Sequence, residues 1–185
     1  MYVQIEQTPN PNTLKFLPGK KVSEVGSIEF IKGKQTDNKL IKDLFSVKDI
    51  SMVFLGSDFI TVKKAEKTLW GDIKPKIISF INDYYLNGKT SVLDKNYLDQ
   101  ASAKENLKDK DDITKKIIEI LDTKIRPAVA GDGGDIKFIS FKNGIVKVEL
   151  QGSCSGCPSS IMTLKQGVQN LLCHYIPEVK NVEAI

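Results

Sequence analysis

Two cysteines three residues apart, Cys154 and Cys157, sit in the run Gln151-Gly152-Ser153-Cys154-Ser155-Gly156-Cys157-Pro158. Thiolates at that spacing are ligands for soft metals or partners in a redox disulfide. Pro158 is favoured at the first position of a helix, where its missing N–H costs no hydrogen bond, so the pair is expected where a strand ends and a helix begins. A helix start offers unpaired N–H groups and partial positive charge, which are expected to lower the thiol pKa values and stabilise a bound anion. Gly152 and Gly156 leave room for backbone amides to approach the sulfurs.

Two thiolates are half of the four ligands that a tetrahedral zinc ion or an iron–sulfur cluster takes. The third cysteine, Cys173, follows Cys157 across an uninterrupted helical pattern that carries it about 24 Å away at 1.5 Å per residue. The single histidine, His174, is excluded with it. The missing pair is therefore expected from a second copy of the chain, so that the loaded protein is a homodimer whose exposed site surrenders its cargo readily. No role falls to Cys173, a small buried hydrophobe or an incidental thiol. Two other chemistries stay open on these residues alone: a Cys154–Cys157 disulfide that cycles, and a zinc ion bridging two subunits as a structural device. Asp132 and Asp135 lie among glycines, which assigns them to turns and caps rather than to acid–base work.

The elements that must position this loop follow from periodicity. Ile113, Ile117, Ile120, Leu121 and Ile125 line one face of a helix that opens at Asp111-Asp112 and is expected to end near Pro127. Gly131-Asp132-Gly133-Gly134 is a sharp reversal into a strand over 135–141. Asn143-Gly144 signals a hairpin to a return strand over 145–150. After the cysteines, Ile161, Leu164, Val168, Leu171, Leu172 and Tyr175 form a helical stripe, and residues 179–185 supply a last strand.

Upstream, Val3 and Ile5 begin a strand ended by Pro9-Asn10-Pro11-Asn12, and Leu14 to Leu17 resumes it. Leu40, Ile41, Leu44 and Phe45 are at helical spacing. Residues 50–55 and 59–62 pair as a hairpin through Gly56-Ser57-Asp58. Trp70, Ile73, Ile77, Ile81 and Tyr84 mark a second helix, with Pro75 tolerable only if the helix begins just before it. Residues 87–110 are mostly polar, with no sustained period, and form a flexible linker on this reading. The fold class is α+β: two small mixed domains, 1–86 and 111–185, the second ordered helix, strand, strand, helix, strand.

The 185 residues, 41% hydrophobic, suffice for one ordinary core or two small ones. No run of about 18 apolar residues is present and the N-terminus lacks a signal pattern, so a soluble chain with no membrane partner is expected, in a bacterial cytoplasm or an organelle matrix. Three cysteines make no disulfide framework. The excess of cations behind the +4 net charge lies in residues 1–110, and only Arg126 among 27 basic residues is arginine. A neutral chemistry-bearing end without guanidinium forks argues against nucleic acid as a partner.

Taken together, Ile125-Arg126-Pro127, Asp132-Gly133-Gly134-Asp135, residues 144–150, the run from Gly152 through Cys154 and Cys157 to Ser160, Thr163-Leu164-Lys165 and Pro177-Glu178-Val179 resemble the NifU-type C-terminal domain of the iron–sulfur carriers called Nfu proteins. Residues 7–16, residues 54–62 and the Trp70 helix are similar to the N-terminal domain of many Nfu proteins. The resemblance implies a non-enzymatic carrier with a four-iron, four-sulfide (4Fe-4S) cluster bridging two subunits through Cys154 and Cys157. It further implies an upstream cluster scaffold as donor, apo iron–sulfur client proteins as acceptors, and a first domain that carries no cluster.

Overall fold

A computed structural model describes residues 3–95, 97, 111–155 and 158–185, with the backbone alone for 158–160. The chain divides into two compact units, one ending at Ser102 and one beginning at Ala103. Both are α+β.

In the first unit, strands β1 (Gln4–Gln7), β2 (Thr13–Leu17), β3 (Ile28–Ile31), β4 (Ile50–Leu55) and β5 (Ile60–Lys64) form one antiparallel sheet in the order β1-β2-β5-β4-β3. The register puts Leu14, Val62, Val53 and Phe30 in one row and Phe16, Ile60 and Leu55 in the next. With period-two alternation these rows share a face. Helices α1 (Lys39–Ser46) and α2 (Trp70–Leu86) supply Leu40, Ile41, Leu44, Ile73, Ile77 and Ile81 to the same core. The expected β4–β5 hairpin forms, and Gly56 is required at its turn because a Cβ there would lie 2.3 Å from the Phe59 ring.

Three details differ from the sequence expectation. Residues 28–31, which fall in an interval without a periodic signal, pair with β4 as an edge strand. Helix α2 begins at Trp70, five residues before Pro75, and its buried stripe ends at Tyr85 rather than Tyr84. The start of the linker at 87 also needs correction. Val92 and Leu93 donate backbone N–H bonds to Val22 O at 2.8 and 3.0 Å, Glu24 N–H returns one to Leu93 O at 2.9 Å, and Leu93 is fully buried. Two adjacent apolar residues joined by one parallel bridge carry no period, which is why the sequence alone hides them. The remainder of the expected linker, residue 96 and residues 98–110, lies outside the described residues.

The second unit opens with α3 (Asp112–Ile120), capped by Asp111, whose carboxylate accepts the Thr114 N–H at 2.7 Å. The helix does not end near Pro127. A π-helical turn (Leu121–Ile125) intervenes, with Arg126 N–H bonded to Leu121 O, and α4 (Arg126–Gly131) continues beyond it. Proline has no N–H to contribute and stands near the N-terminus of the new segment, where none is needed. Ile117, Leu121, Ile125 and Val129 remain one buried stripe. Strands β6 (Gly134–Lys142) and β7 (Ile145–Gly152) are antiparallel, α5 (Pro158–Tyr175) follows, and β8 (Asn181–Ala184) pairs parallel to β7. The helix, strand, strand, helix, strand order stands, with its first helix in three segments.

Leu93→Ala is expected to lower the stability of the first unit by about 2–5 kcal/mol, as for other buried leucines. Urea unfolding of the full chain measures this, and an unchanged midpoint for the first transition would remove residues 91–93 from that core.

Candidate functional site

The site is built where the ends of β6 and β7 meet. Gly133, at φ +80°, turns the chain out of α4, and Gly134 starts β6 opposite Gly152, the last residue of β7 and itself at φ +72°. The two backbones approach so closely that a Cβ on Gly134 would stand 2.5 Å from Gln151 O and 2.9 Å from Cys154 Sγ. Glycine is needed here for space.

Beyond Gly152 the chain is tied down by short-range bonds. Ser153 N–H donates to Gly133 O at 3.2 Å and Ser153 Oγ donates to Asp132 O. Ser155 N–H and Oγ both donate to Gly152 O, at 3.2 and 2.9 Å. Cys154 folds inward against Gly134, is 5% exposed and belongs to the apolar core of the second unit. Its Sγ lies 3.8 Å from Ser153 Oγ.

The sequence expectation of a lowered thiol pKa is reversed at Cys154. Burial pushes it up; the Ser153 contact opposes this, and Asp132 and Asp135 add to the rise. The side chain points to the core rather than to water, so desolvation of the thiolate dominates. Nor do these loop amides stand behind the sulfur: those of Ser153 and Ser155 are bonded to Gly133 O and Gly152 O. Cys157 lies outside the described residues. Cys173 and His174 occupy the last turn of α5, about 22 Å along the helix axis from Pro158, and do not join Cys154. Among the described residues, no three His, Cys, Asp or Glu side chains are grouped to hold a metal ion.

Arg126 and Asp135 were not legible as a pair. Asp135, expected to open the strand with turn or cap duty, lies in β6 with its carboxylate gripped from two sides: Arg126 Nε donates to Oδ1 at 2.8 Å and Arg126 Nη2 to Oδ2 at 2.7 Å. Arg126 also reaches Asp122 at 3.0 Å. Because Ser153 N–H bonds back to Gly133 O, alternation along an antiparallel pair turns the Ile136 N–H toward the free edge of β6. Asp135 Oδ1 accepts that N–H at 2.8 Å. The carboxylate thus closes a polar edge, and Arg126 neutralises the carboxylate, whose hydrogen bonds raise the arginine's pKa. The available signal was that Arg126 is the chain's single arginine.

Comparison with known proteins covers both units. A family model described as NifU-like domain matches residues 117–183, and one described as Scaffold protein Nfu/NifU N terminal matches residues 3–88. "NFU1 iron-sulfur cluster scaffold homolog, mitochondrial" of Homo sapiens is 43% identical over 187 residues, covering 100% of this chain and 72% of the human one. The chain belongs to the Nfu family of NifU-like proteins. The homolog of the same name in Drosophila persimilis is 47% identical, and "NifU-like protein 4, mitochondrial" of Arabidopsis thaliana is 45% identical. This Nfu-family chain spans 65% of the length of each of those two relatives. Within it, the NifU-like match takes in the π-turn, the Arg126–Asp135 clasp, the Gly134 contact and the cysteine loop.

Gly134→Ala is expected to cost about 1–3 kcal/mol, because backbone rather than a flexible side-chain end blocks the new methyl. Asp135→Ala is expected to cost about 2 kcal/mol through the exposed strand edge and a guanidinium left with Asp122 alone. Thermal unfolding of the second unit reads both, and a Gly134→Ala protein with unchanged midpoint would contradict the packing described.

Proposed function

We propose that this chain is an iron–sulfur cluster carrier. Cys154 and Cys157 of two copies together ligate one 4Fe-4S cluster, accepted from an upstream scaffold and passed to apo client proteins. The observation that carries the reading is the position of Cys154: a thiol at the junction between β7 and the N-terminus of α5, on a loop held by main-chain and serine hydrogen bonds, with an arginine neutralising the Asp135 carboxylate of the neighbouring strand β6. The names of the relatives, which call them iron–sulfur cluster scaffold homologs, support the same reading.

Cargo of this kind explains the ligand count. Two thiolates per chain satisfy a four-ligand cluster only when two chains meet, and ligands at a shared edge exchange more easily with a client's thiols than those of a closed cage. The first unit is assigned no cluster, in keeping with residues 1–102 having neither cysteine nor histidine. No enzymatic step is assigned. A cycling disulfide is disfavoured by the burial of Cys154, since catalytic thiols of that class are exposed. An organelle matrix is the proposed compartment, from the word "mitochondrial" in the relatives' names. No described helix is long and apolar enough to cross a membrane.

Anaerobic reconstitution with iron and sulfide, followed by visible absorption, metal and sulfide content and mass, tests the proposal. One four-iron cluster per dimer is expected. Cys154→Ala or Cys157→Ala should abolish loading with the far-ultraviolet spectrum unchanged; stoichiometric cluster in both single variants would overturn the assignment. A colourless zinc dimer, or a metal-free monomer that reduces a test disulfide catalytically, would move the function to a structural or redox protein.

A further inference from the structure

Resting on the carrier reading, one feature of the site bears on how cargo is admitted. As described, Cys154 is not positioned to bind anything. Its Sγ is seated against the Cα of Gly134 and within the core made by Ile136, Leu150 and their neighbours, with 5% of the residue exposed. A metal–sulfur bond of about 2.3 Å needs open volume on the far side of the sulfur, and a cluster shared with a second chain needs a great deal more. Neither is available while the thiol is turned inward.

Among the described residues, the hydrogen bonds of the two flanking serines hold it there. Cys154 lies between two anchored serines. Ser153, 1% exposed, is tied through both its N–H and its Oγ to the Asp132-Gly133 turn, while Ser155 closes a tight turn onto Gly152. The Ser155 bonds stay within the loop and travel with it. Those of Ser153 cross to another segment, and both must break for the loop to lift.

We infer that residues 152–155 form a gate, and that Ser153 is its latch: a positioning residue that keeps Cys154 folded into the core of the unloaded chain and releases it outward when cargo is taken. The closed form shields an otherwise oxidisable ligand, and loading requires the Ser153 contacts to Asp132 O and Gly133 O to open. Gly134 is the seat into which the thiol closes. The Arg126–Asp135 clasp fixes the strand that carries this seat, so β6 stays in place while the loop moves together with the last residue of β7.

The test is alkylation of the unloaded full-length chain with iodoacetamide, quantified separately at Cys154 and Cys173 by peptide mass spectrometry. Cys173, part-exposed at the opposite end of α5 and packed on the same core, is the internal standard for global unfolding. In the wild-type chain Cys154 is expected to react at least about ten times more slowly than in the urea-unfolded chain. Ser153→Ala is expected to accelerate Cys154 by about five-fold, the equivalent of one lost hydrogen bond, with Cys173 unchanged. A wild-type Cys154 as reactive as in urea would overturn the gate whatever the variant does. So would equal acceleration at Cys173, which would report general destabilisation, or a Ser153→Ala rate equal to or below wild type. The result is independent of cargo: a protected Cys154 in a chain that never binds a cluster would sink the carrier reading and leave the closed loop standing, and a loaded dimer with an unprotected Cys154 would do the reverse.

Discussion

The second unit depends on a single close approach of two backbones. Where β6 begins and β7 ends, Gly134 lies so near Gln151 and Cys154 that no side chain fits between them. That contact brings Ser153 within reach of the turn before β6 and lets the end of β7 pair to its last residue, Gly152, before the chain leaves for α5. It also supplies the surface on which Cys154 rests. One methyl group at Gly134 would disturb the strand ends, the loop and the thiol together, because protein interiors are packed too densely to absorb it locally.

A second constraint is electrostatic and protects the first. β6 is an edge strand, and an open edge invites pairing with other chains. Near the site the edge is closed by the Asp135 carboxylate, which would be costly to bury as an isolated charge. Arg126 meets that cost with a two-point grip and donates from its third nitrogen, Nη1, to Asp122. The π-turn that precedes Arg126 shifts the helix phase by one residue and lets Pro127 stand at the head of a new segment, so a local irregularity, the arginine and the strand edge form one arrangement.

The first unit shows how polar residues are kept in a well-packed sheet without chemistry of their own. Lys64 is buried, yet its ammonium donates to Asn12 Oδ1 at 3.0 Å and lies 5.5 Å from the Trp70 ring, while the Trp70 indole N–H donates to Pro11 O at 3.1 Å. These contacts pin the Pro9–Asn12 segment as a structural turn. Trp70 and Lys64 thereby act in folding.

Much of this was legible in the residues themselves. Hydrophobic periodicity located the helices and the paired strands other than β3, Asn143-Gly144 and Gly56 located their turns, and Pro158 after the cysteines located the start of α5, because each of these is a local signal read over a few residues. Tertiary structure decided what depends on groups distant along the chain. Leu93 belongs to the first core through a bridge to Ser23, seventy residues earlier. Asp135 is an edge cap rather than a turn residue because Arg126 folds over it. Cys154 is buried because Gly134, twenty residues before it, leaves a space of the right size. Composition and spacing specify which atoms can bind a metal; whether those atoms face water or the core is set by packing, which no local pattern encodes.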